Sequence, residues 1–397
     1  MALIMAPAVT GRWGWDPRML ETNTMDAREH RKAAGLMGAL GLVTLDRPES
    51  RNAVDAAFRQ QLADALPQWA RNADVYAVVL RSGLENVFSS GADLHERLGW
   101  ALGDGVTADQ HLANELRLIW LLDCFTKPIV SLIDGAVLGS GAGLVNFGTH
   151  RVAGESYSFA MPDAALGWVP DAGMAHVLAG MARQVGYYLA LSGRAIGRAD
   201  AFALGLVTHC LPRAQFASVI DALAAADVVD PLLDTLHVDP GQGVLAERIE
   251  TIERCFAGPS VADILARLDS EQGLAQAWAA EVARDIRQRS PFALALTLAQ
   301  MRRAVSLDLR AILELDFRLM RHCLRRPDFV AGVRAQQTGM EQRPAWMPER
   351  IADVSAQMIE QAFAASAGVG LELKPRAILQ TDMEFLRAIG AADGSAT

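Results

Sequence analysis

Lys127-Pro128-Ile129-Val130-Ser131-Leu132-Ile133-Asp134-Gly135, followed by Gly139-Ser140-Gly141-Ala142-Gly143, is the most informative stretch of this sequence. The apolar run Ile129 to Ile133 reads as a strand, and Asp134-Gly135 is a strong turn dipeptide. The glycines after it read as the approach to a helix. The first amides of a helix have no partner inside it and sit at the positive end of its dipole. Glycines let a ligand come close to that backbone. Amides aimed at a carbonyl oxygen stabilise an oxyanion by about 3–4 kcal/mol per donor. Tight strand–helix packing is the competing reading of the same glycines. Asp134 and the four glycines argue against a membrane span over Pro128 to Val145.

The neighbouring sequence repeats short strands and helices. Leu40 to Leu45 and Val75 to Leu80 read as strands, the first closed by Asp46-Arg47-Pro48. Phe58, Leu62, Leu66 and Trp69 follow helical spacing, with Asp55 as N-cap and Pro67 loosening the last turn. Ser82 to Asp93 reads as a polar loop, and Glu115 to Leu122 as a helix. Short β-like pieces follow at Arg151–Ala153 and Tyr157–Ala160. This alternation predicts α/β layering. After Gly173 the pattern is helical almost throughout, with Leu309, Ile312, Leu313, Asp316, Phe317 and Met320 as one stripe. The expected division is an irregular leader over 1–38, an α/β core over 39–210, a helical region over 211–365 and a tail over 366–397.

The 397 residues are 51% hydrophobic and carry a net charge of −9, which permits a large core and argues against nucleic acid as a partner. Four distant cysteines with no C-x-x-C read as reduced, buried thiols. The eight histidines form no H-x-x-x-H or H-E-x-x-H, so no metal is expected. With a poor signal peptide at the N-terminus, the expected compartment is the cytoplasm. G-x-S-x-G fails around Ser140 because its flanks are Leu138 and Ala142, and neither a dinucleotide fingerprint nor a P-loop occurs.

Phe159-Ala160-Met161-Pro162-Asp163 and Val169-Pro170-Asp171-Ala172-Gly173 place two carboxylates eight residues apart in an apolar setting. Burial would raise their proton affinity, and proximity would split their titration. Such a pair suits acid–base work or water activation. Helix capping by Asp171 is the alternative.

Together these segments resemble the crotonase (enoyl-CoA hydratase/isomerase) superfamily, and more closely its 3-hydroxyisobutyryl-CoA hydrolase branch. The likeness runs from about residue 40 to 365. It takes in Arg47 to Val54, Phe88 to Leu94, Lys127 to Gly135, the glycines at 139–143, the two aspartate motifs and Asp200 to His209. Ser290-Pro291-Phe292, Asp328 to Ala335 and Arg343-Pro344-Ala345-Trp346 resemble the hydrolase branch in particular.

The resemblance implies a fold of stacked β-β-α turns with a mainly helical C-terminal region, an acyl-CoA thioester as substrate, no separate cofactor and a homo-oligomer. Matched position by position, the backbone N–H groups of Ala92 and Ser140 would form an oxyanion hole. Arg51, Asn52, Ala53, Gly91, Asp93 and Leu94 would line the CoA path, with Gly139, Gly141 and Gly143 as further substrate-binding residues. Glu115 matches a glutamate near the hydroxyacyl group, although an exposed helix charge is the plainer reading. Hydratases use two glutamates. The first falls at Gly143, as in the hydrolase branch. The branch's catalytic glutamate falls at Asp163, one methylene shorter, and Asp171 matches its second carboxylate. Ser140 replaces the usual glycine. The branch's acidic–lysine pair is replaced here by Gly339 and Met340, so if that lysine holds the CoA phosphates, either an arginine substitutes or CoA binding is weaker.

The expected activity is hydrolysis of a short or branched 3-hydroxyacyl-CoA, with Asp163 as nucleophile or general base and Asp171 positioning or activating water. The alternatives are isomerase- or hydratase-type enolate chemistry and a non-catalytic acyl-CoA binder.

Overall fold

The computed structural model describes residues 33–338, 343–364 and 370–381. First come β1 (Ala34–Met37), β2 (Leu40–Leu45) and α1 (Ala56–Arg71). Three turns then repeat one plan. The first runs β3 (Ala77–Ser82), β4 (Val87–Ser89), α2 (Leu94–Leu102) and α3 (Gly105–Cys124). The second runs β5 (Ile129–Ile133), β6 (Ala136–Leu138) and α4 (Ser140–Asn146). The third runs β7 (His150–Ala153), β8 (Ser158–Ala160), a 3-10 turn at Asp163–Leu166, then α5 (Met174–Ala179) and α6 (Val185–Ser192). β9 (Ile196–Gly197), α7 (Arg198–Ala203) and β10 (His209–Cys210) complete this part.

Each turn gives one strand to each of two sheets. The larger has the order β1-β2-β3-β5-β7-β10, and the smaller β4-β6-β8-β9. β3, β5 and β7 are parallel neighbours in one, and β4, β6 and β8 in the other. This is the expected stack of β-β-α turns. Gly135 lets β5 pass into β6 at a φ of +99°, where a Cβ would stand 2.0 Å from the carbonyl carbon of Asn86. Only glycine tolerates that crossing.

The larger sheet is buried on both faces, so its strands are continuously apolar. Ala77, Val79, Val130 and Leu132 face the helices Phe216–Ala224 and Val229–Leu236. Val78, Leu80, Ile129 and Ile133 face the main core, which continues into the C-terminal helices. The helical stripe from Leu309 to Met320 is buried as expected, Asp316 included. The four cysteines are free and buried, and no helix among the described residues is long and apolar enough to cross a membrane.

Some expectations need correction. The end of the leader is regular: β1 pairs antiparallel with β2, from Ala34 opposite Val43 to Met37 opposite Leu40. Four residues with Leu36 and Met37 exposed carry too weak a pattern to announce a strand. The loop at 82–93 contains β4. Pro67 leaves α1 intact to Arg71, and Lys127 Nζ donates to Trp69 O, Asn72 O and Val75 O at its end. Part of the weakly patterned tail is docked: Leu371 and Leu373 are buried, and Trp120 Nε1 donates to Lys374 O at 2.7 Å. Trp13, Trp15, Gly339, Met340 and the tail beyond residue 381 lie outside the described residues.

Candidate active site

The smaller sheet brings the two glycine-bearing loops together. β4 and β6 run parallel, with Ser89 opposite Val137. A Cβ on Gly91 would stand 3.0 Å from Leu138 O, and one on Gly141 would stand 2.6 Å from Ser89 Oγ. The segments 89–92 and 138–141 therefore lie against each other, and larger residues would separate them. Ala92 bridges to Val54 beside them. Gly139 turns at a φ of +47°, and Ser140 is the first residue of α4, where the amide lacks an intrahelical partner.

The two aspartates lie next to this junction in contrasting surroundings. A Cβ on Gly139 would stand 3.6 Å from Asp163 Oδ1. Asp163 Oδ2 is buried without a hydrogen-bond partner. Burial, and then the charge of Asp171, push the Asp163 carboxyl well above its ordinary value. Asp171 is fully buried and saturated with donors. Its Oδ1 accepts from Ser140 Oγ at 2.9 Å; its Oδ2 accepts from Arg97 Nη1 at 3.0 Å and Trp168 Nε1 at 2.8 Å. Burial raises its pKa too, against the opposing pull of Arg97.

Capping by Asp171 is thereby overturned: α5 starts after Gly173 with no side-chain cap. The segment before α5 is held from the C-terminal helices instead. Gln300 Nε2 donates to Pro170 O and to Asp316 Oδ1, both at 2.8 Å, and Gly173 N donates to Asp316 Oδ2 at 2.9 Å. On the other side, Gly332 and Gly167 let the helix Pro327–Gln337 close on the Asp163 turn. A Cβ on either would stand 2.7 Å from the opposing backbone.

Glu115 is buried on α3, not an exposed helix charge. Arg97 Nη2 donates to Glu115 Oε1 at 2.7 Å, and Arg59 Nη1 lies 3.7 Å from Oε2. Burial alone would raise the pKa of Glu115, but these two cations outweigh it and hold the group below its ordinary value. Gly143 has no room for a side chain, because a Cβ would stand 2.5 Å from Ala172 Cβ. A carboxylate at that position is sterically excluded.

The remaining predicted residues serve largely as framework. Asn52 is buried at a φ of +58°, and its amide bonds Arg47 N, Ser82 Oγ and Phe88 O. Its side chain therefore faces the protein, leaving its backbone with Arg51 and Ala53 beside the loop. Arg47 Nη1 donates to Ala53 O. Asp93 is the N-cap of α2, accepts from His95 N and Glu96 N, and pairs with Arg47 at 3.3 Å. Leu94 opens α2 and is half-buried.

Arg97 and Trp168 were not foreseen as site residues. Trp168 lies between the two aspartate motifs and carries no chemical signal of its own. Arg97 lies on a helix that the sequence pattern did not reveal, and its partner Asp171 is 74 positions away.

Two mixed, largely parallel sheets, paired glycine loops and an acidic site define a crotonase-type enzyme scaffold. The chain belongs to the enoyl-CoA hydratase/isomerase family, whose sequence profile matches residues 40–363. Among curated relatives, 3-hydroxyisobutyryl-CoA hydrolase of Gallus gallus is 29% identical, covering 85% of this chain and 89% of its own. The Rattus norvegicus enzyme of that name is 30% identical, over 82% and 86%. Among solved structures, a carnitinyl-CoA dehydratase from Mycobacterium thermoresistibile superposes with a TM-score of 0.81. It is 32% identical and covers 86% of this chain and 98% of its own. An enoyl-CoA hydratase from Rhodobacter sphaeroides gives 0.80, at 31% identity over 86% and 99%.

Proposed function

We propose that this chain hydrolyses a short or branched 3-hydroxyacyl-CoA thioester to the hydroxy acid and free CoA. The observation that carries this reading is the asymmetry of the two aspartates. Of the pair, Asp163 alone has an oxygen without a partner, and it lies against Gly139 beside the first amide of α4. The exclusion of a side chain at Gly143 removes the first of the two carboxylates that hydration would require. The names of the curated relatives point the same way.

In this reading the thioester oxygen lies between the amides of Ala92 and Ser140. Asp163, once ionised, attacks the carbonyl carbon, and the thiolate of CoA leaves and takes up a proton. Water then splits the anhydride and restores the carboxylate. Alternatively, Asp163 takes a proton from water that attacks directly, and the same products form. Asp171, held by its three donors, stays fixed beside the reaction, and the free lone pair of Glu115 Oε2 accepts from the substrate hydroxyl.

Thiol release, measured across 3-hydroxyacyl-CoAs, tests the proposal. Release by the unaltered protein and its loss in Asp163→Asn are expected; no release from any of them refutes hydrolysis. The two solved relatives described as a dehydratase and a hydratase favour one second reading, chemistry through an enolate. A change in enoyl-CoA absorbance without thiol release would identify it.

A further inference from the structure

Arg97 is a buried charged group at this site that the proposed chemistry does not use. It is 3% exposed, and its Nε has no partner. Burying an ion pair is costly, and an apolar set of similar volume in place of the whole cluster would commonly serve stability as well. What distinguishes Arg97 is its reach. Its guanidinium binds Asp171 at 3.0 Å, Glu115 at 2.7 Å and Ser140 Oγ at 3.1 Å, and its carbon lies 4.8 Å from the centre of the Trp168 ring. One planar group therefore ties α2 to α3, to the first residue of α4 and to the loop carrying Asp171.

Ala92 lies at the foot of α2 and Ser140 at the head of α4. We propose that Arg97 is a positioning residue that fixes the spacing of these two amide donors, with the Ser140 hydroxyl as its handle on α4. This rests on the oxyanion role given to the amides above, but not on hydrolysis as the outcome. The Ser140 hydroxyl donates to Asp171 and accepts from Arg97, so it is held from both sides. A glycine at 140 would keep the amide and lose the handle. A lysine at 97 would keep the charge but offers a single point of attachment where three groups are spanned.

The test is spectroscopic. A conjugated acyl-CoA, 4-dimethylaminocinnamoyl-CoA, absorbs further to the red when its carbonyl is polarised. At saturating probe, Arg97→Lys and Ser140→Ala should each show roughly half the red shift of the unaltered protein or less, with dissociation constants within about threefold. A role in stability or charge alone would leave the shift whole in Arg97→Lys. A full shift at saturation in Ser140→Ala overturns the inference, as does a full shift in Arg97→Lys. So does the absence of any shift in the unaltered protein. Should Arg97→Lys fail to fold, Ser140→Ala decides alone, since it leaves every charge paired. Reduced shifts in a protein that releases no thiol would sustain the inference and refute hydrolysis.

Discussion

Asp163 and Asp171 are eight residues apart, both buried, and differently surrounded. Around Asp171 every oxygen has a donor and a guanidinium shares the charge. Around Asp163 one oxygen has nothing, and the charge that acts on it most strongly is of its own sign. Burial of a carboxylate thus has two solutions at this site. Saturation offsets part of the cost of burial and holds the carboxylate in one place. Deprivation makes a group that binds its proton tightly and, on the proposed mechanism, gains most when an electrophile comes within its reach.

The largest effect that could break this contrast is on turnover. Asp163→Asn should lower kcat for thioester hydrolysis by about a thousandfold or more, because the nucleophile or base is lost. Asp171→Asn should cost about tenfold to a hundredfold, through misplacement of its neighbours. Equal losses in steady-state thiol release would show that the two carboxylates share one task.

Stability should separate them with opposite sign. In Asp171→Asn, Arg97 keeps Glu115 but loses one charged partner, so denaturant unfolding should show a loss of about 2–3 kcal/mol. Asp163 has a raised pKa in the folded protein. The folded state therefore binds its proton more tightly than the unfolded state does. The stability this provides is complete below the ordinary carboxylate value and is lost as pH climbs toward the raised one. Asp163→Asn removes that dependence, so at neutral pH it should unfold at higher denaturant than the unaltered protein. The gain should vanish near pH 4.

The same shift should govern catalysis. A carboxylate that must ionise before it acts gives a rate that rises with pH. Asp163 is raised by burial and by Asp171, so kcat/KM should climb through a midpoint above the ordinary carboxylate range. A midpoint at or below about pH 4 would show that its surroundings favour its charge.

These contrasts were only partly legible in the sequence. The strands Leu40–Leu45 and Ile129–Ile133 declare themselves because both faces of their sheet are buried. β4 and β6, with three residues each, fall below the length at which alternation can be read, yet they hold the glycine loops together. The spacing of Asp163 and Asp171 was visible, and so was the prospect of a coupled pair. Which of them would be saturated was not, because the donors come from α2, α4 and an indole. Arg97 illustrates the reason. His95-Glu96-Arg97 has the look of a solvated helix face, and only the arrival of α3 and the Asp171 loop makes its last member a core residue. Local patterning encodes strands and turns; pairings across 43 and 74 positions appear only once the layers are stacked.

The finest test alters the Asp171 side alone and leaves its charge in place. Trp168 Nε1 donates to Asp171 Oδ2 while the ring lies under Arg97. Trp168→Phe keeps an aromatic face and removes one donor. A hydrogen bond to a charged acceptor is worth about 1.5–3 kcal/mol, and the two remaining partners of Asp171 should absorb part of that loss. Stability should fall by about 1–2 kcal/mol and kcat by roughly threefold to tenfold. Losing the indole donor makes Asp171 hold its proton slightly more tightly. That weakens its repulsion of Asp163, so the pH midpoint of kcat/KM should move downward by less than about half a unit. An upward movement would mean that Asp171 gains charge when its donor is removed, and the division of labour between the two carboxylates would have to be reversed.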